Sequence, residues 1–162
     1  MLTNFTVTPA ASAPPVTPLA PAVRAARPER AKSTRMTDTL RYVVTAMGFG
    51  RIALGLAPFV AAGLVSRALG FPREHDSPTA RLMARFFGIR DVGLGVLAFY
   101  ATAHVEAAPF LFLFNAGMDA GDLVSTAVPL AKRQGIDRAA VMSALFALTG
   151  GVAWLVVWMV LK

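Results

Sequence analysis

Four apolar stretches, each about as long as a bilayer-spanning helix, follow one another along this chain with short polar connections between them. A helix crosses the hydrocarbon core of a bilayer with roughly 20 apolar residues. Hydrophobic residues make up 56% of the 162 residues and charged residues only 15%, and a soluble domain of this length cannot bury so much apolar surface. The sequence therefore predicts an all-α integral membrane four-helix bundle, whose neighbouring helices are antiparallel because their connections are short.

The predicted helices span about residues 42–68, 78–104, 109–131 and 138–161. Residues with short polar side chains mark three of the helix starts, since such side chains cap the free N–H groups of a first turn. Thr37 or Asp38 is the expected N-cap of the first helix and Asp137 that of the fourth. Ser77 is expected to cap the second helix, with Pro78 in the first helical position that proline favours.

Residues 1–36 differ from the rest of the chain in composition: they hold six of the eleven prolines among Ala, Ser, Thr and Arg. Such a segment cannot bury a core, and we predict a disordered basic tail before a four-helix domain at 37–162. It has no apolar run typical of a secretory signal, and it has some likeness to an organelle transit peptide. Two interpretations stay open: a genuine tail, or a chain that starts at Met36.

The formal charge of +7 does not indicate nucleic acid, because no nucleic-acid motif or aromatic-interleaved basic face accompanies the basic residues. They flank the apolar stretches, and if the chain starts at Met36 their excess in loops one and three favours a cytoplasmic position for those loops; the basic residues of a genuine tail nearly cancel this bias. The chain has no cysteine, and His75 and His104 fall on opposite membrane sides, so no metal or cofactor is expected. The expected partner is the lipid bilayer, in the cell membrane or, in a eukaryote, an organelle membrane.

Five formal charges fall inside the apolar stretches: Arg51, Arg90, Asp91, Asp119 and Asp122. Each costs about 2.5–3.5 kcal/mol at mid-membrane. Left unpaired, the five would together cost roughly 12–17 kcal/mol, which is comparable to the whole stability of a domain. They must therefore pair, face the bundle interior or lie near a membrane interface.

The third helix shows the sharpest pattern, because four polar residues spaced by four, three and four residues share one face. They are Asn115, Asp119, Asp122 and Thr126. Judged by depth along the helices, Arg90 is predicted to pair with Asp122, and Arg51 with Asp119 and Asn115. The alternative is that either arginine snorkels to the membrane edge, which the short aspartates cannot do.

Small residues predict where the helices pack closely. Gly117 and Gly121 form a GxxxG motif in the third helix, and Ser143, Ala147 and Gly151 repeat every four residues in the fourth. On the fourth helix, Trp154 is expected to serve packing and Trp158 to lie at the membrane interface.

Two segments, F-G-I-R-D-V-G-L-G at 87–95 and N-A-G-M-D-A-G-D at 115–122, together with Gly50-Arg51 and L-G-L-A-P at 54–58, resemble a known family. It comprises small four-helix membrane proteins of bacteria and fungi and is catalogued as a domain of unknown function. The resemblance covers about residues 43–160. It implies that the five intramembrane charges are the family signature, and it implies no activity.

Three functions remain open, with six candidate ligand- or ion-binding residues: Arg51, Arg90, Asp91, Asn115, Asp119 and Asp122. In the first, the network binds or transports a small polar ligand or protons. Transport through so small a bundle would need a homo-oligomer. Alternatively, the network only holds the helices of an accessory subunit together for a membrane partner protein. An intramembrane acid–base enzyme acting on a lipid or isoprenoid is less favoured, since the sequence marks no nucleophile; in it Asp119 or Asp122 would be the general acid, and Arg90 or Arg51 would stabilise negative charge.

Overall fold

The computed structural model describes residues 35–162. This part of the chain contains four α-helices, one turn of 3-10 helix at Arg73–His75 and no β-strand. The helices are α1 (Asp38–Leu69), α2 (Pro78–Ala103), α3 (Ala108–Ala131) and α4 (Asp137–Leu161). The predicted all-α four-helix architecture is confirmed, although α1 begins earlier than predicted. The predicted tail at 1–36 lies almost entirely outside the described residues.

Side-chain caps set the starts of α1 and α2 as predicted. The hydroxyl of Thr37 accepts a hydrogen bond from the Leu40 N–H at 3.3 Å, and that of Ser77 accepts from the Ala80 N–H at 3.1 Å. The predicted cap of α4 is wrong. Asp137 is the first helical residue and makes no cap hydrogen bond. Its negative charge is instead stabilised by the positive end of the helix dipole.

α1 and α2 form a hairpin in which glycine backbones touch at two levels, and Gly48 faces Gly95 while Gly55 faces Gly88. A Cβ atom added to Gly95 would lie 2.7 Å from the Gly48 carbonyl oxygen. One added to Gly48 would lie 3.1 Å from that of Gly95. Backbone cannot move aside as a flexible side chain does. Any residue larger than glycine at these sites would therefore require one helix to shift.

α3 and α4 form the second hairpin, packed through a buried aromatic pair and small residues of α4. The rings of Phe112 and Trp154 are 5.7 Å apart between centroids. Trp154 is buried, which confirms its predicted packing role. A Cβ atom at Gly150 would lie 2.8 Å from Asp119 Oδ2, and one at Gly151 would lie 3.3 Å from Asp119 Cβ. The small residues of α4 therefore let this helix approach the charged face of α3.

The predicted packing role of Gly117 and Gly121 is not borne out within the described chain. No other atom lies within 4 Å of a Cβ atom added to either glycine. Asp119, which lies between them in sequence, is buried, and consecutive helical positions differ by about 100° around the axis. Because exposing carboxylates to an apolar surrounding costs far more than exposing glycines, the aspartates take the inner face and the glycines the outer one.

The two ends of the bundle differ in how well they are buried. The largest apolar core gathers residues from the start of α1, the end of α2, the start of α3 and the end of α4. Its members are Met36, Leu40, Val44, Ala98, Ala101, Ala108, Leu111, Phe112, Ala116, Trp154, Val157 and Leu161. We call this the closed end. At the opposite end, which we call the open end, α2 has no buried residue before Gly88 and α3 has none after Asp119, although Ala62 of α1 and Ala139 and Ala140 of α4 are buried there.

Two of the four helices, α1 and α4, are long and apolar enough to cross a membrane. Large apolar side chains point outward from all four helices; those of Val60, Tyr42, Phe110 and Val124 are exposed. Such extensive apolar exposure marks a surface that another apolar phase covers. That α2 and α3 also span the membrane stays a prediction.

Candidate functional site

Arg51 extends from α1 across the bundle to the carboxylate of Asp119 on α3. Its Nη2 group donates to both carboxylate oxygens of Asp119, and its Nη1 group donates to Asp91 Oδ1 at 3.2 Å. The predicted Arg51–Asp119 pair is thus confirmed, and Arg51 does not snorkel. The predicted bond from Arg51 to Asn115 is wrong. Asn115 donates its amide to the Leu111 carbonyl at 3.1 Å, and the guanidinium bonds the charged carboxylate, which is the stronger acceptor.

Arg90 on α2 pairs with Asp122 on α3, as predicted. Its Nη1 and Nη2 groups donate to the two Asp122 oxygens at 2.7 and 2.6 Å, a bidentate arrangement that is stronger than a single neutral hydrogen bond. The same Nη2 donates to Asp91 Oδ1 at 3.3 Å. Arg90 is therefore held inside the bundle and does not snorkel to the membrane edge.

Asp91 joins these two pairs into one network, a role that the sequence reasoning missed. A signal for it was present. Gly48 and Gly55 flank Arg51 in the pattern G-x-x-Arg-x-x-x-G. On α2, residues 88–95 repeat this pattern with Asp91 in the place of the arginine. Since the two glycine pairs face each other, Arg51 and Asp91 occupy equivalent positions on opposed helices.

The network grades from a buried inner pair to a more exposed outer part. The side chains of Arg51 and Asp119 are 12% and 6% exposed. Those of Arg90, Asp91 and Asp122 are 26–29% exposed. The outer residues therefore connect the interior of the bundle to its surroundings, while the inner pair is largely shielded.

Aromatic side chains flank both arginines, and sequence reasoning did not anticipate either contact. The Arg51 guanidinium carbon lies 6.0 Å from the Trp154 ring centroid, and that of Arg90 lies 5.4 Å from the Phe87 ring centroid. Cation–π contact of this kind favours a guanidinium that has lost its water. Trp154 also belongs to the closed-end core. It therefore lies where the network meets that core.

Two buried polar atoms of the site have no hydrogen-bond partner in the described part of the chain: Asn115 Oδ1 and Arg90 Nε. A buried polar atom without a partner costs about 1–3 kcal/mol. Asn115 is fully buried one turn deeper than Asp119, on the same face of α3. The site thus holds one acceptor that favours an incoming donor and one donor that favours an incoming acceptor.

The formal charge of the network is −1, because two arginines face three aspartates. Low dielectric strengthens both attraction within the pairs and the cost of any surplus charge. Among the described residues the network consists only of arginine and aspartate, with no serine, cysteine or histidine bonded to it.

A separate ion pair joins Asp76, in the connection between α1 and α2, to Arg81 in the first turns of α2. Arg81 donates to the two oxygens of Asp76 at 2.7 and 2.9 Å, and the Arg81 hydrogen bond holds the pKa of Asp76 below its usual value. The Asp76 carboxylate lies against Gly63 of α1, where an added Cβ atom would be 3.0 Å from Oδ2. This pair fastens the connection to α1 and does not take part in the network.

A family model described as Domain of unknown function (DUF4267) matches residues 48–161, which include every charged member of the network. This confirms the resemblance to a family of unknown function. No curated protein matches the chain. No solved structure matches it either.

Proposed function

We propose a function for the chain, which belongs to the DUF4267 family of unknown function, from the geometry of its Arg/Asp network. In this proposal the chain is a small multi-pass membrane protein, and the network binds a small polar ligand or relays protons. The observation that carries this proposal is the graded network of five charges from three helices. Ionisable residues within membrane segments are expensive and usually mark ion or proton pathways.

The multi-pass topology rests on the pairing itself. Charges in α2 and α3 oppose insertion when they are alone, but they bond one another and Arg51 of α1. Once paired, they leave outward faces on α2 and α3 that expose Phe87, Val96, Phe110 and Val124. Those faces suit lipid, so we include α2 and α3 as spans beside α1 and α4.

Proton flux into liposomes tests the function. Purified protein is reconstituted with an entrapped pH-sensitive dye, and flux is measured after an external acid jump. The Asp119→Asn variant is expected to fall to the level of protein-free liposomes, because it removes the most buried carboxylate of the network. Asp137→Asn is the matched control, since Asp137 is an exposed aspartate at the start of α4 and lies outside the network. It should retain wild-type flux.

The proposal fails if Asp119→Asn folds normally and leaves proton and small-solute flux unchanged. Folding is checked by circular dichroism and size-exclusion chromatography in the same detergent. Arg51→Gln combined with Asp119→Asn removes both charges of the inner pair and keeps the formal charge of the network. This double variant separates loss of flux from the damage that one unpaired charge causes.

A second function is favoured by a specific observation: both ion pairs connect the α1–α2 hairpin to α3. We propose as the alternative an accessory subunit in which the network only fastens the two hairpins and the protein serves a membrane partner. Under this alternative, Asp119→Asn lowers stability and the yield of a co-purifying partner. Wild-type liposomes would then show no flux above the protein-free level.

A further inference from the structure

The network divides into two closed ion pairs and one additional carboxylate. Arg51 donates to both oxygens of Asp119, and Arg90 donates to both oxygens of Asp122. Each arginine is therefore neutralised by an aspartate of its own. Asp91 carries the surplus negative charge.

The hydrogen bonds of Asp91 are one-sided. Its Oδ1 atom accepts from Arg51 at 3.2 Å and from Arg90 at 3.3 Å, both longer than the bonds of Arg90 to Asp122. Of the six carboxylate oxygens in the network, Asp91 Oδ2 alone accepts no arginine hydrogen bond in the described residues. This oxygen combines a surplus charge with a free acceptor position.

We propose that the ligand of the network is a single proton and that it binds at Asp91 Oδ2. This inference rests on the proposed function and deepens it. The proton comes from water at the open end and forms an O–H bond to Oδ2, and the formal charge of the network changes from −1 to zero. Release reverses the step, and both arginine pairs persist throughout.

The net charge of the network, and not the two guanidiniums that face Asp91, favours a proton over an anion as its ligand. Arg51 faces it from α1, Arg90 from α2, and the two α3 carboxylates lie beyond those arginines, while α4 contributes the uncharged Trp154. A network with surplus negative charge disfavours an anion. A metal cation needs several converging oxygens, and within residues 35–162 no group of carboxylates, imidazoles or thiolates is arranged to hold one.

Asn115 supplies an independent observation. It is completely buried on the face that carries Asp119, and its Oδ1 atom has no donor in the described chain. A buried acceptor beside the network favours a hydrogen-bond donor at that place, while the unpartnered Arg90 Nε favours an acceptor; water, which is both, satisfies the two atoms. The hydrogen-bonding character of Asn115 thus agrees with a proton-carrying site.

Infrared titration of the protein in lipid nanodiscs tests the assignment directly. The protonated carboxyl group has a C=O stretch that is separate from the carboxylate bands and shifts in heavy water. The wild-type protein should show one such band that appears on acidification, in addition to bands of exposed carboxyls. Asp91→Asn should lose it completely, because the amide keeps the Oδ1 acceptor and cannot take the proton.

Two further variants control for structure. Asp91→Glu restores a carboxyl group and should restore a titrating band, at a shifted midpoint. Asp137→Asn should leave the band unchanged. The titration is repeated with choline in place of Na+, and the midpoint should stay the same. A midpoint that shifts with Na+ would overturn the proton assignment in favour of a metal cation.

The outcomes separate this inference from the proposed function. If the band persists in Asp91→Asn but disappears in Asp119→Asn or Asp122→Asn, Asp91 is the wrong residue while proton binding by the network stands. If the wild-type protein has no such band but shows Asp119-dependent solute flux, the proton is the wrong ligand and the proposed function survives. If both the band and the flux are absent, both proposals are overturned.

Discussion

α1 meets α2 through glycine backbone, whereas the α1–α2 hairpin meets α3 through arginine and aspartate side chains. The first contact is short: a Cβ atom added to Gly95 would lie only 2.7 Å from the Gly48 carbonyl oxygen. The second contact is made by long side chains that reach across the bundle.

The difference concerns how each contact responds to movement. Backbone packing falls off within an ångström, so the glycine contact holds α1 and α2 at one spacing. A bidentate ion pair can follow small shifts of its helix, because several side-chain torsions adjust. We infer that the first hairpin is a rigid unit and that the network is the adjustable joint between hairpins.

The largest effect is expected from removing the arginine of the inner pair. Arg51→Gln leaves the Asp119 carboxylate buried without its guanidinium, which should lower the free energy of unfolding by about 3–5 kcal/mol. Denaturant titration in detergent micelles, followed by tryptophan fluorescence and circular dichroism, measures the loss.

Adding Asp119→Asn to Arg51→Gln removes the unpaired charge, so the double variant should be more stable than Arg51→Gln alone. Equal stability of the single and double variants would show that Asp119 does not need a buried partner. The ion pair would then contribute little to joining the hairpins.

A smaller effect is expected from the glycine contact of the first hairpin. The Cβ atom of Gly88→Ala would overlap the Gly55 carbonyl oxygen, so α2 must move away from α1, at about 1–3 kcal/mol. Gly93→Ala is the control on the same helix, because nothing lies within 4 Å of its Cβ position. The same denaturant titration compares them. A Gly88→Ala variant as stable as Gly93→Ala would contradict the rigid first hairpin.

Much of this architecture can be predicted from local sequence. Ser77 before Pro78 fixes the start of α2, because a capping hydroxyl and a residue without an N–H satisfy the free first turn. The spacing of Asn115, Asp119 and Asp122 places them on one inner face, because unpaired carboxylates are too costly in lipid. Depth along the helices then matches each arginine with its aspartate.

Other features depend on helix rotation, which local sequence does not fix. Asp91 points towards Arg51 because Gly88 and Gly95 turn that side of α2 towards α1. The start of α4 at Asp137 lacks a side-chain cap, so capping preference misplaced it. Which glycines form close contacts depends on which helices become neighbours, and this outcome depends on the whole bundle.

The smallest effect is expected on the outer face of α3, where neither kind of contact is made. Gly117→Ala and Gly121→Ala add a methyl group into open space, so each should be neutral or stabilise the helix by up to about 0.5–1 kcal/mol. Denaturant titration at two protein concentrations, with light scattering for the oligomeric state, measures this. Destabilisation that grows with protein concentration would show that the outer glycines contact a second copy, which would add a third kind of helix contact to the glycine and ion-pair contacts.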